Sequence, residues 1–464
     1  MTGNIHPVLK EIASFFNNSG KEIYLVGGAV RDMLMGKKIH DWDLATNALP
    51  EEVTEIMKRS GGKVIPTGIK HGTVTVFYKR KSAEITTFRT ESGYSDGRRP
   101  DQVTYAADIE EDLSRRDFTM NAIALCLPGG EAVDPFNGKK DIKAKIIRCV
   151  GDAKERFSED GLRPLRAVRF ASQLGFQIEK NTLEAISGAL ETSAKVSQER
   201  VRTEIDKILD SSLPSDGFRL MEKTGLLKLF IAELDACRGV EQKGFHQYDV
   251  LDHSLLACDY AAANCYSREV RLAALLHDIG KPKVRGIDSA GVYTFYRHEE
   301  VSVGMSREIL SRLRYPNTVI DKTSHLIKEH MFLYTEQWSD AAVRRFIARV
   351  GEDNLDDIYS LRRADIYGFS GKEPDYRSIE QLVERVNKVL TESRAFTVKD
   401  LAVNGNDLMS AGIPGGKIMG CIFKELLETV LDDPAQNKRE TLLEIADRIY
   451  KRNEAVTTCC TRLV

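Results

Sequence analysis

The sequence predicts an α+β protein in which a small head with a mixed β-sheet is followed by an all-α body. Over the first 151 residues, short apolar runs alternate with helical patterns and lead into a β-hairpin. From residue 177 to residue 452, apolar residues recur at helical spacing. A chain of 464 residues also exceeds what one hydrophobic core supports. We expect a head over 1–151, a helical neck over 152–240, a third helical domain over 241–370 and a helical C-terminal region over 371–464.

The composition indicates an ordinary globular protein, with 42% apolar and 29% charged residues. No apolar run approaches the length of about eighteen residues that a membrane helix needs, and the N-terminus lacks the order of a signal peptide. We therefore expect a cytoplasmic protein without a membrane partner. The eight cysteines form no CxxC pair, which is typical of reduced thiols. The net charge of −2 neither supports nor excludes an RNA partner.

The first informative stretch is YLVGGAVRDMLMGKKIHDWDL, which begins at Tyr24. Its apolar run reads as a strand that breaks at Gly27 and Gly28 into a turn tight enough for close approach of a ligand. VRDMLMG then predicts a short helix closed by glycine. Asp41 and Asp43 lie in an alternating segment, so we expect a strand with both carboxylates on one face.

Two aspartates on one face repel each other unless a cation lies between them. Carboxylates at this spacing suit Mg²⁺, and a pair of such ions can clamp the attacking and leaving oxygens of a displacement at phosphorus. The glycine turn can offer backbone N–H groups to a triphosphate. This combination predicts phosphoryl or nucleotidyl transfer. A surface hairpin with solvated aspartates is the alternative, and the glycine pair and Arg31-Asp32 nearby argue against it.

GGAVRDMLMGKKIHDWDL resembles the signature of the class II tRNA nucleotidyltransferase and bacterial poly(A) polymerase family, within the DNA polymerase β-like nucleotidyltransferases. The resemblance implies addition of C, C and A to tRNA 3′ ends from CTP and ATP, without a template or an obligate protein partner. Asp41 and Asp43 would hold Mg²⁺, and Gly27, Gly28 and Arg31 would seat the triphosphate. An A-adding enzyme and a poly(A) polymerase share these motifs, so both remain alternatives.

A helix from Pro50 to about Ser60 and two hairpin strands within residues 71 to 90 complete the predicted sheet, with helices on one side. Glu84 on the second hairpin strand could meet Asp41 and Asp43, as the family's third acid does, or simply face outward. Residues 89 to 103 are rich in Gly, Ser and charge and predict a mobile loop. A family loop at this place takes part in the passage from C to A addition, which disfavours a C-only enzyme.

Residues 108 to 125 predict an acidic-first helix, and its RRDFTMNA core resembles the family motif that contacts the incoming nucleotide. Arg116 suits triphosphate oxygens because a guanidinium is a planar fork of donors. Asp117 would help to hold the site, and Asn121 can bond a sugar hydroxyl. A surface Arg/Asp pair is the alternative.

Residues 155 to 176 contain SEDGLRPLRAVRF, which is similar to the family's EDxxR motif for selecting CTP and ATP. Asp160 and Arg163 are three apart, so on one helix they share a face, which Arg166 and Arg169 continue. An acceptor and donors at that spacing can read the Watson–Crick edge of a base. The alternative is an intrahelical salt bridge worth a few tenths of a kcal/mol. VSQERVRTEIDKIL resembles the family segment that follows, which implies that Arg200 and Arg202 support this helix, and surface charge is the equal alternative.

A second set of ligands occurs in HQYDVLDHSLLACDYAAA, RLAALLHDIGKP and LRRADIYG. Mixed imidazoles and carboxylates suit Mn²⁺, Ni²⁺ or another divalent transition metal better than Mg²⁺. The order resembles that of the HD superfamily of metal-dependent phosphohydrolases, which implies a metal site made by His253, His277, Asp278 and Asp365. His298 and His330 match positions where some members add ligands. An active hydrolase and a structural or RNA-facing domain both remain open.

The C-terminal segment DLAVNGNDLMSAGIPGGKIMG resembles the family's tRNA-binding region, where a glycine-rich turn precedes a helix N-terminus suited to phosphate. A reading of another class also stands. In it the HD domain hydrolyses cyclic or monoester phosphates and the N-terminal half serves only to bind RNA.

Overall fold

The computed structural model describes residues 5–39, 41–69, 72–92, 102–242, 247–392 and 395–461. The chain divides into two compact units, one comprising Met1–Ala236 with Ile309–Tyr315 and the other Cys237–Glu308 with Pro316–Val464. Among the described helices, none combines the length and the apolar character that crossing a bilayer requires.

The first unit begins with a mixed α and β region. Its elements are α1 (Pro7–Asn18), β1 (Ile23–Val26), α2 (Gly28–Leu34), β2 (Asp43–Thr46), α3 (Pro50–Arg59), β3 (Lys63–Gly68), β4 (Thr73–Tyr78), β5 (Lys81–Thr87), β6 (Arg89–Ser92), β7 (Gln102–Tyr105), α4 (Ile109–Ser114), β8 (Ala124–Cys126), β9 (Ala132–Val133), α5 (Gly138–Ala144) and β10 (Ile146–Ile147). The predicted strand, turn, helix and strand at its start are confirmed, as is the hairpin of β4 and β5.

Within the described residues, seven strands form one sheet in the order β3-β4-β5-β2-β1-β8-β9. Only β2 and β5 pair in parallel in this sheet, with Asp43 opposite Glu84. The predicted mixed sheet is therefore confirmed. One face carries a core of Leu9, Ile12, Leu25 and neighbours, and hydrophobic burial of this kind is what holds α1 and α3 on the sheet.

The expectation of helices on one side of the sheet is wrong. Tyr24, Val26 and Phe88 form a second core with Ile109 and Leu113 of α4. All four residues of β1 are buried, because alternate side chains enter opposite cores. Strand β1 is thus covered on both faces.

The loop expected over residues 89 to 103 is shorter than that range. Its ends are the paired strands β6 and β7, with Arg89 opposite Tyr105 and Ser92 opposite Gln102. Residues 93–101, on which the prediction of a mobile loop also fell, lie outside the described residues.

The rest of the first unit is largely helical. Its elements are α6 (Ala153–Glu159), α7 (Arg163–Leu174), β11 (Gln177–Ile178), α8 (Lys180–Gly188), α9 (Leu190–Ser193), α10 (Gln198–Leu209), α11 (Pro214–Thr224), α12 (Leu226–Phe230) and α13 (Ala232–Asp235). The two-residue strand β11 pairs with β10, so the body is not purely helical.

The second unit is also largely helical, with one short hairpin. Its elements are α14 (Val250–Ala263), α15 (Arg268–Leu276), α16 (Lys281–Val284), β12 (Gly286–Ile287), β13 (Tyr293–Thr294), α17 (His298–Arg312), α18 (Asn317–Glu329), α19 (Asp340–Val350), α20 (Leu355–Gly368), α21 (Arg377–Glu392), α22 (Gly405–Ser410), α23 (Lys417–Asp432) and α24 (Arg439–Thr461). The last four residues of α17 belong to the first unit. The predicted α+β class, a mixed-sheet head before a largely helical body, is confirmed.

Candidate functional site

Three carboxylates, which we call the carboxylate face, lie together where the start of β2 pairs with the middle of β5. Asp43 begins β2 and stands opposite Glu84 of β5. Asp41 precedes the strand, so the expectation that both aspartates lie within it is wrong by two residues. Asp41, Asp43 and Glu84 nevertheless line one cavity of about 350 Å³.

The carboxylate face carries negative charge that the protein does not fully neutralise. Burial and the Asp41 carboxylate raise the pKa of Asp43, against the lowering effect of the Arg116 guanidinium. Burial, Asp43 and Asp41 raise the pKa of Glu84. Mutual repulsion of this kind is relieved when a divalent cation lies between the oxygens, so the residues present fit Mg²⁺.

A second cavity, of about 430 Å³, shares Asp43 with the first. We call it the arginine cavity, because seven arginines and only three aspartates line it. Its lining residues are Gly27, Gly28, Arg31, Asp43, Arg115, Arg116, Asp117, Asn121, Asp160, Arg163, Arg166, Arg169, Phe170 and Arg200. An excess of guanidinium groups around a cavity of this size suits a polyphosphate.

The glycine turn forms one wall of the arginine cavity. Gly27 precedes α2 with φ 69° and ψ −136°, a conformation that residues with a Cβ rarely adopt. A Cβ at this position would also lie 3.0 Å from Arg116 Nη1. This wall of the cavity therefore consists of backbone atoms, and the missing Cβ of Gly27 leaves space for the Arg116 guanidinium.

Arg115 and Arg116 follow α4 instead of lying on it, because that helix ends at Ser114. The expectation that RRDFTMNA is helical is wrong. Phe118 pairs with Cys149, and the Thr119 N–H donates to the Arg148 carbonyl at 2.9 Å. This pairing holds Phe118 in an extended conformation, and Thr119–Asn121 form only a single 3-10 turn, so no α-helix continues through the segment.

Asp112, which the sequence reasoning missed, holds both arginines. Its buried carboxylate accepts from Arg115 at 2.7 Å and from Arg116 at 3.1 Å. Arg116 Nε is buried and has no hydrogen-bond partner within the described part of the chain. The sequence spacing could have indicated these contacts, because Asp112 lies three residues before Arg115 and four before Arg116.

Asp117 lies at the back of the arginine cavity. Its carboxylate accepts from Arg166 at 2.7 and 2.9 Å and from Asn121 at 3.1 Å. Burial alone would raise the pKa of Asp117, but Arg166 and Asn121 outweigh it and lower the pKa to about 2. Asn121 in turn accepts from Arg31 at 2.8 Å, which connects the turn at Gly27 to this network.

Asp160 and Arg163 do not share one helix face, contrary to expectation. Asp160 follows the end of α6 with φ −137° and ψ 109°, and Arg163 is the first residue of α7. Pro164 explains the break, because a proline has no N–H to donate to the carbonyl four residues before it. The two side chains still line the same cavity.

The partners of these side chains differ from an Asp160–Arg163 pair. Asp160 accepts from Arg200 of α10 at 2.8 and 3.2 Å. Arg163 bonds Glu159 and the carbonyl oxygens of Arg156 and Arg115. The intrahelical salt bridge considered for the motif is therefore absent among the described contacts.

Two further residues that the sequence reasoning missed support the cavity. Glu204 of α10 accepts from Arg169 at 2.7 Å. The Phe170 ring lies 3.4 Å from Arg169 Cζ and 5.1 Å from Arg31 Cζ, within reach of cation–π attraction. Neither contact has a sequence signal, because each depends on the packing of separate elements.

The second unit brings together the four residues predicted as a metal site, which we call the histidine–aspartate cluster: His253, His277, Asp278 and Asp365. All four are buried, with at most 4% exposure. His253 Nε2 lies 3.0 Å from His277 Nε2, 3.3 Å from Asp278 Oδ2 and 3.2 Å from Asp365 Oδ1. His277 Nε2 lies 3.2 and 3.4 Å from the same two oxygens. These separations are those of neighbouring ligands around one ion at about 2.0–2.2 Å.

The orientation of the histidines also fits a metal. The Nδ1 atoms of His277, His298 and His330 each contact a backbone carbonyl, at 2.9, 2.9 and 2.6 Å, which turns their Nε2 atoms inward. Asp278 Oδ1 and His298 Nε2 are buried 3.1 Å apart, and neither atom has a further hydrogen-bond partner among the described residues. Lys281, which the sequence reasoning missed, donates to Asp278 Oδ2 at 2.6 Å.

The cluster needs positive charge. Burial would lower the pKa of His277, but the Asp278 and Asp365 carboxylates outweigh it and raise the pKa to about 10. Burial and the charge on His277 lower the pKa of His330 to about 3. A proton on His277 thus offsets part of the negative charge of the two carboxylates. A divalent ion would offset more of it, because an ion can contact all four side chains at once.

Three family models match the chain. Residues 23–148 match the "Poly A polymerase head domain", residues 175–238 the "Probable RNA and SrmB-binding site of polymerase A", and residues 297–446 domain 2 of tRNA nucleotidyltransferases. None of these three models describes an HD domain, so the comparisons support the nucleotidyltransferase resemblance and leave the HD resemblance to the geometry of the cluster.

Relatives match over nearly the full length. The CCA-adding enzyme of Lactobacillus johnsonii is 36% identical over 448 residues, which cover 94% of this chain and 95% of the relative. That of Geobacillus stearothermophilus is 34% identical over 425 residues, covering 91% and 92%. The crystal structure of the Bacillus stearothermophilus CCA-adding enzyme in complex with CTP has a TM-score of 0.72 and 31% identity, covering 98% of this chain and 100% of the other. The chain belongs to the family of CCA-adding tRNA nucleotidyltransferases.

Proposed function

We propose that this protein adds C, C and then A to the 3′ end of tRNA, with CTP and ATP as donors. The observation that carries the proposal is the place of Asp43, which lines both the carboxylate cavity and the arginine cavity. A triphosphate in the arginine cavity would thus present its α-phosphate beside the carboxylates. The full-length similarity to CCA-adding enzymes supports the same reaction.

Asp41, Asp43 and Glu84 would hold Mg²⁺, which when bound acidifies an attacking hydroxyl and neutralises a leaving pyrophosphate. The protein's own groups position the donor. Backbone N–H groups at Gly27 and Gly28 would contact phosphate oxygens. Arg31 and Arg116 both line the arginine cavity and would pair with the triphosphate. Arg116 is the better placed for this, because its Nε has no protein partner among the described residues. Asp117 and Asn121 would keep Arg166 and Arg31 in place for the nucleotide.

Base selection would fall to Asp160 and Arg163, with Arg166 and Arg169 beside them. Arg200 fixes the Asp160 carboxylate, and Glu159 with two carbonyls fixes the Arg163 guanidinium. An acceptor and a donor held in this way from different elements can meet the edge of a base without a template.

We also propose that the domains expected from the sequence divide the work: 1–151 for catalysis, 152–240 for nucleotide selection and RNA, 241–370 for the metal cluster and 371–464 for tRNA. The match of residues 175–238 to an RNA-binding model supports the second assignment. The Thermotoga maritima CCA-adding enzyme was solved with tRNA, and its 22% identity to this chain carries the fold alone.

The test is to incubate the protein with Mg²⁺ and a tRNA transcript that lacks CCA, offering CTP alone, ATP alone and both, and to sequence the 3′ ends. We expect CCA only when both are present. Extension restricted to a transcript that already ends in CC would mark an A-adding enzyme. An open-ended A tail would mark a poly(A) polymerase, and no extension at all would refute the nucleotidyl transfer.

A second candidate function is metal-dependent phosphohydrolysis by an HD-type domain. The specific observation in its favour is the convergence of His253, His277, Asp278 and Asp365 on one point. His298 and His330 would add ligands or substrate contacts. These donors fit Mn²⁺, Ni²⁺ or another divalent transition metal, which when bound would polarise a phosphoryl oxygen.

Two variants separate the two functions. In assays with 2′,3′-cyclic and monoester phosphates, His277→Ala is expected to abolish hydrolysis and to leave nucleotide addition intact. Asp43→Ala is expected to do the opposite. If neither phosphate is hydrolysed by the Mn²⁺- or Ni²⁺-loaded protein, the cluster is structural and the second function is wrong.

A further inference from the structure

A third cavity, of about 500 Å³, lies in the first unit, and neither proposed function uses it. We call it the lysine cavity. Four cations line it, two from the segment after α2 and two from the turn and start of the β4–β5 hairpin: Lys37, Lys38, Arg80 and Lys81. A volume of this size is within the range of about 300–1,000 Å³ for small-ligand sites.

The four cations are not neutralised by the protein. The neighbouring Lys79, by contrast, forms an ion pair with Glu11, with 2.6 Å between Nζ and the carboxylate oxygen. Lys37, Lys38, Arg80 and Lys81 have no carboxylate within ion-pair distance among the described residues. They are all exposed, so their charge faces whatever enters the cavity.

The floor of the lysine cavity is apolar and aromatic. Leu9, Leu25 and Met33 line it beside Trp42. The His6 ring stands 5.0 Å from the Trp42 ring, and Lys81 Nζ lies 5.8 Å from the same ring. Trp42 is buried and the His6 ring above it is exposed. An exposed ring surrounded by cations is the arrangement that binds a base and its backbone phosphates together.

The lysine cavity adjoins the carboxylate cavity. Trp42 and Ser82 line both, and Trp42 stands between Asp41 and Asp43 in the sequence. A chain whose 3′-hydroxyl reached the carboxylates would thus have a cavity of suitable charge next to it. The arginine cavity, on Asp43, remains for the donor triphosphate.

We propose that the lysine cavity binds the acceptor RNA immediately before its 3′ end, with a base on the exposed His6 ring, which contacts Trp42, and phosphodiesters at the four cations. This rests on the proposed nucleotide addition. Single-stranded RNA is the occupant that the observations favour, because the cations come from two separate segments and suit successive phosphates. A free nucleotide would find more positive charge around its phosphates in the arginine cavity, which seven arginines line.

The first test measures how the affinity for a short single-stranded RNA ending in CC depends on salt, without Mg²⁺ or nucleotides. Each phosphate contact to a single strand contributes about 0.7 to the slope of log K against log salt. Lys37→Gln/Lys81→Gln should therefore lower the slope by about 1.4 and weaken binding about tenfold near 0.15 M salt. The matched control Lys58→Gln/Lys143→Gln removes two exposed lysines outside the cavity and should leave slope and affinity unchanged.

The second test uses the fact that the chain has two tryptophans, Trp42 and Trp338. Trp338→Phe leaves Trp42 as the only tryptophan, and the same RNA should change its fluorescence with the midpoint found in the binding assay. CTP alone should change it little. A larger response to CTP than to RNA would assign the cavity to a nucleotide and overturn the proposal.

The outcomes separate this inference from the proposed function. If the wild-type protein adds CCA but both lysine variants share its salt slope, the cavity does not bind the acceptor and the inference is wrong while the function stands. If no RNA is extended but the slope falls by 1.4 as expected, the cavity binds RNA and the nucleotidyl transfer is wrong.

Discussion

The carboxylate face and the histidine–aspartate cluster are both built to receive cations, yet they differ in exposure, donor type and supporting structure. Asp41, just before β2, and Glu84, in the middle of β5, are exposed oxygen donors, and they line a cavity. His253 and His277 are completely buried and are oriented by helices α14 and α15.

This difference predicts that a cation at the carboxylate face would exchange readily and that a cation in the histidine–aspartate cluster would be retained. An open set of hard oxygens leaves coordination positions for water and for phosphates, so its ion can arrive with each substrate. A closed set of nitrogen and oxygen donors would surround an ion, so an ion bound there would stay in the protein and contribute to folding. The comparison therefore predicts that the first site governs turnover and the second governs stability.

The largest expected effect tests the first half of that comparison. Asp43→Ala should reduce CCA addition about a thousand-fold or more, since the variant loses a ligand shared by both cavities. The measurement is single-turnover extension of a tRNA transcript that ends before CCA. Glu51→Ala, an exposed acid of α3, is the control and should keep wild-type rates. An Asp43→Ala protein with unchanged thermal stability and normal activity would contradict the assignment.

The next prediction tests the second half. Saturating Mn²⁺ or Ni²⁺ at about 100 times the dissociation constant should stabilise the wild-type protein by about 2.7 kcal/mol, and His277→Ala should show no such gain. Thermal unfolding with and without the ion, together with the metal content after dialysis, measures this. Equal stabilisation of both proteins would place the ion elsewhere.

A third prediction concerns the contribution of the Asp117–Arg166 ion pair to the stability of the fold around the arginine cavity. The pKa of Asp117 is lowered to about 2, so its ion pair with Arg166 stabilises the fold above the unfolded-state value of about 3.9. Asp117→Asn should cost about 2 kcal/mol at neutral pH, and the difference from wild type should vanish as the pH falls from about 4 to about 2. Urea unfolding over this pH range measures it. A difference that is independent of pH would contradict the ionic origin.

The last expected effect, similar in size to that of Asp117→Asn, concerns the glycine wall. Gly27→Ala should cost about 1–3 kcal/mol from backbone strain and should raise the KM for CTP, because its Cβ would press on Arg116. Gly61→Ala is the matched control, since Gly61 also has positive φ but has nothing within 4 Å of an added Cβ. Steady-state kinetics of both variants would separate strain from the contact. Equal KM values in the two variants would remove the role assigned to the wall.

Local signals explain what the sequence could predict. The glycine pair, the alternation at Asp41 and Asp43, and the hairpin that carries Glu84 each lie within a few residues, so turn chemistry and periodicity reveal them. The histidine–aspartate cluster could also be predicted, because the order of its residues along the chain resembles that of the HD superfamily and implies that His277 and Asp365 meet.

Tertiary contacts explain the rest. Asp160 and Arg163 were placed on one helix although Pro164 signalled a new helix start. The pairing of Phe118 with Cys149 decided the conformation of the RRDFTMNA segment from thirty residues away. Glu204 and Phe170 support arginines across helix interfaces, and no periodicity within one segment shows which distant side chain will meet it.

The bond between Asp160 and Arg200 has a consequence for accuracy at high temperature. Helix α10 supplies Arg200 to Asp160 and Glu204 to Arg169, so the side chains that we propose to read the base keep their positions only while that helix stays docked on α7. The carboxylates on β2 and β5 do not depend on this docking. On gentle heating the enzyme should begin to misincorporate before it stops working, so its error frequency would report the loosening of one helix.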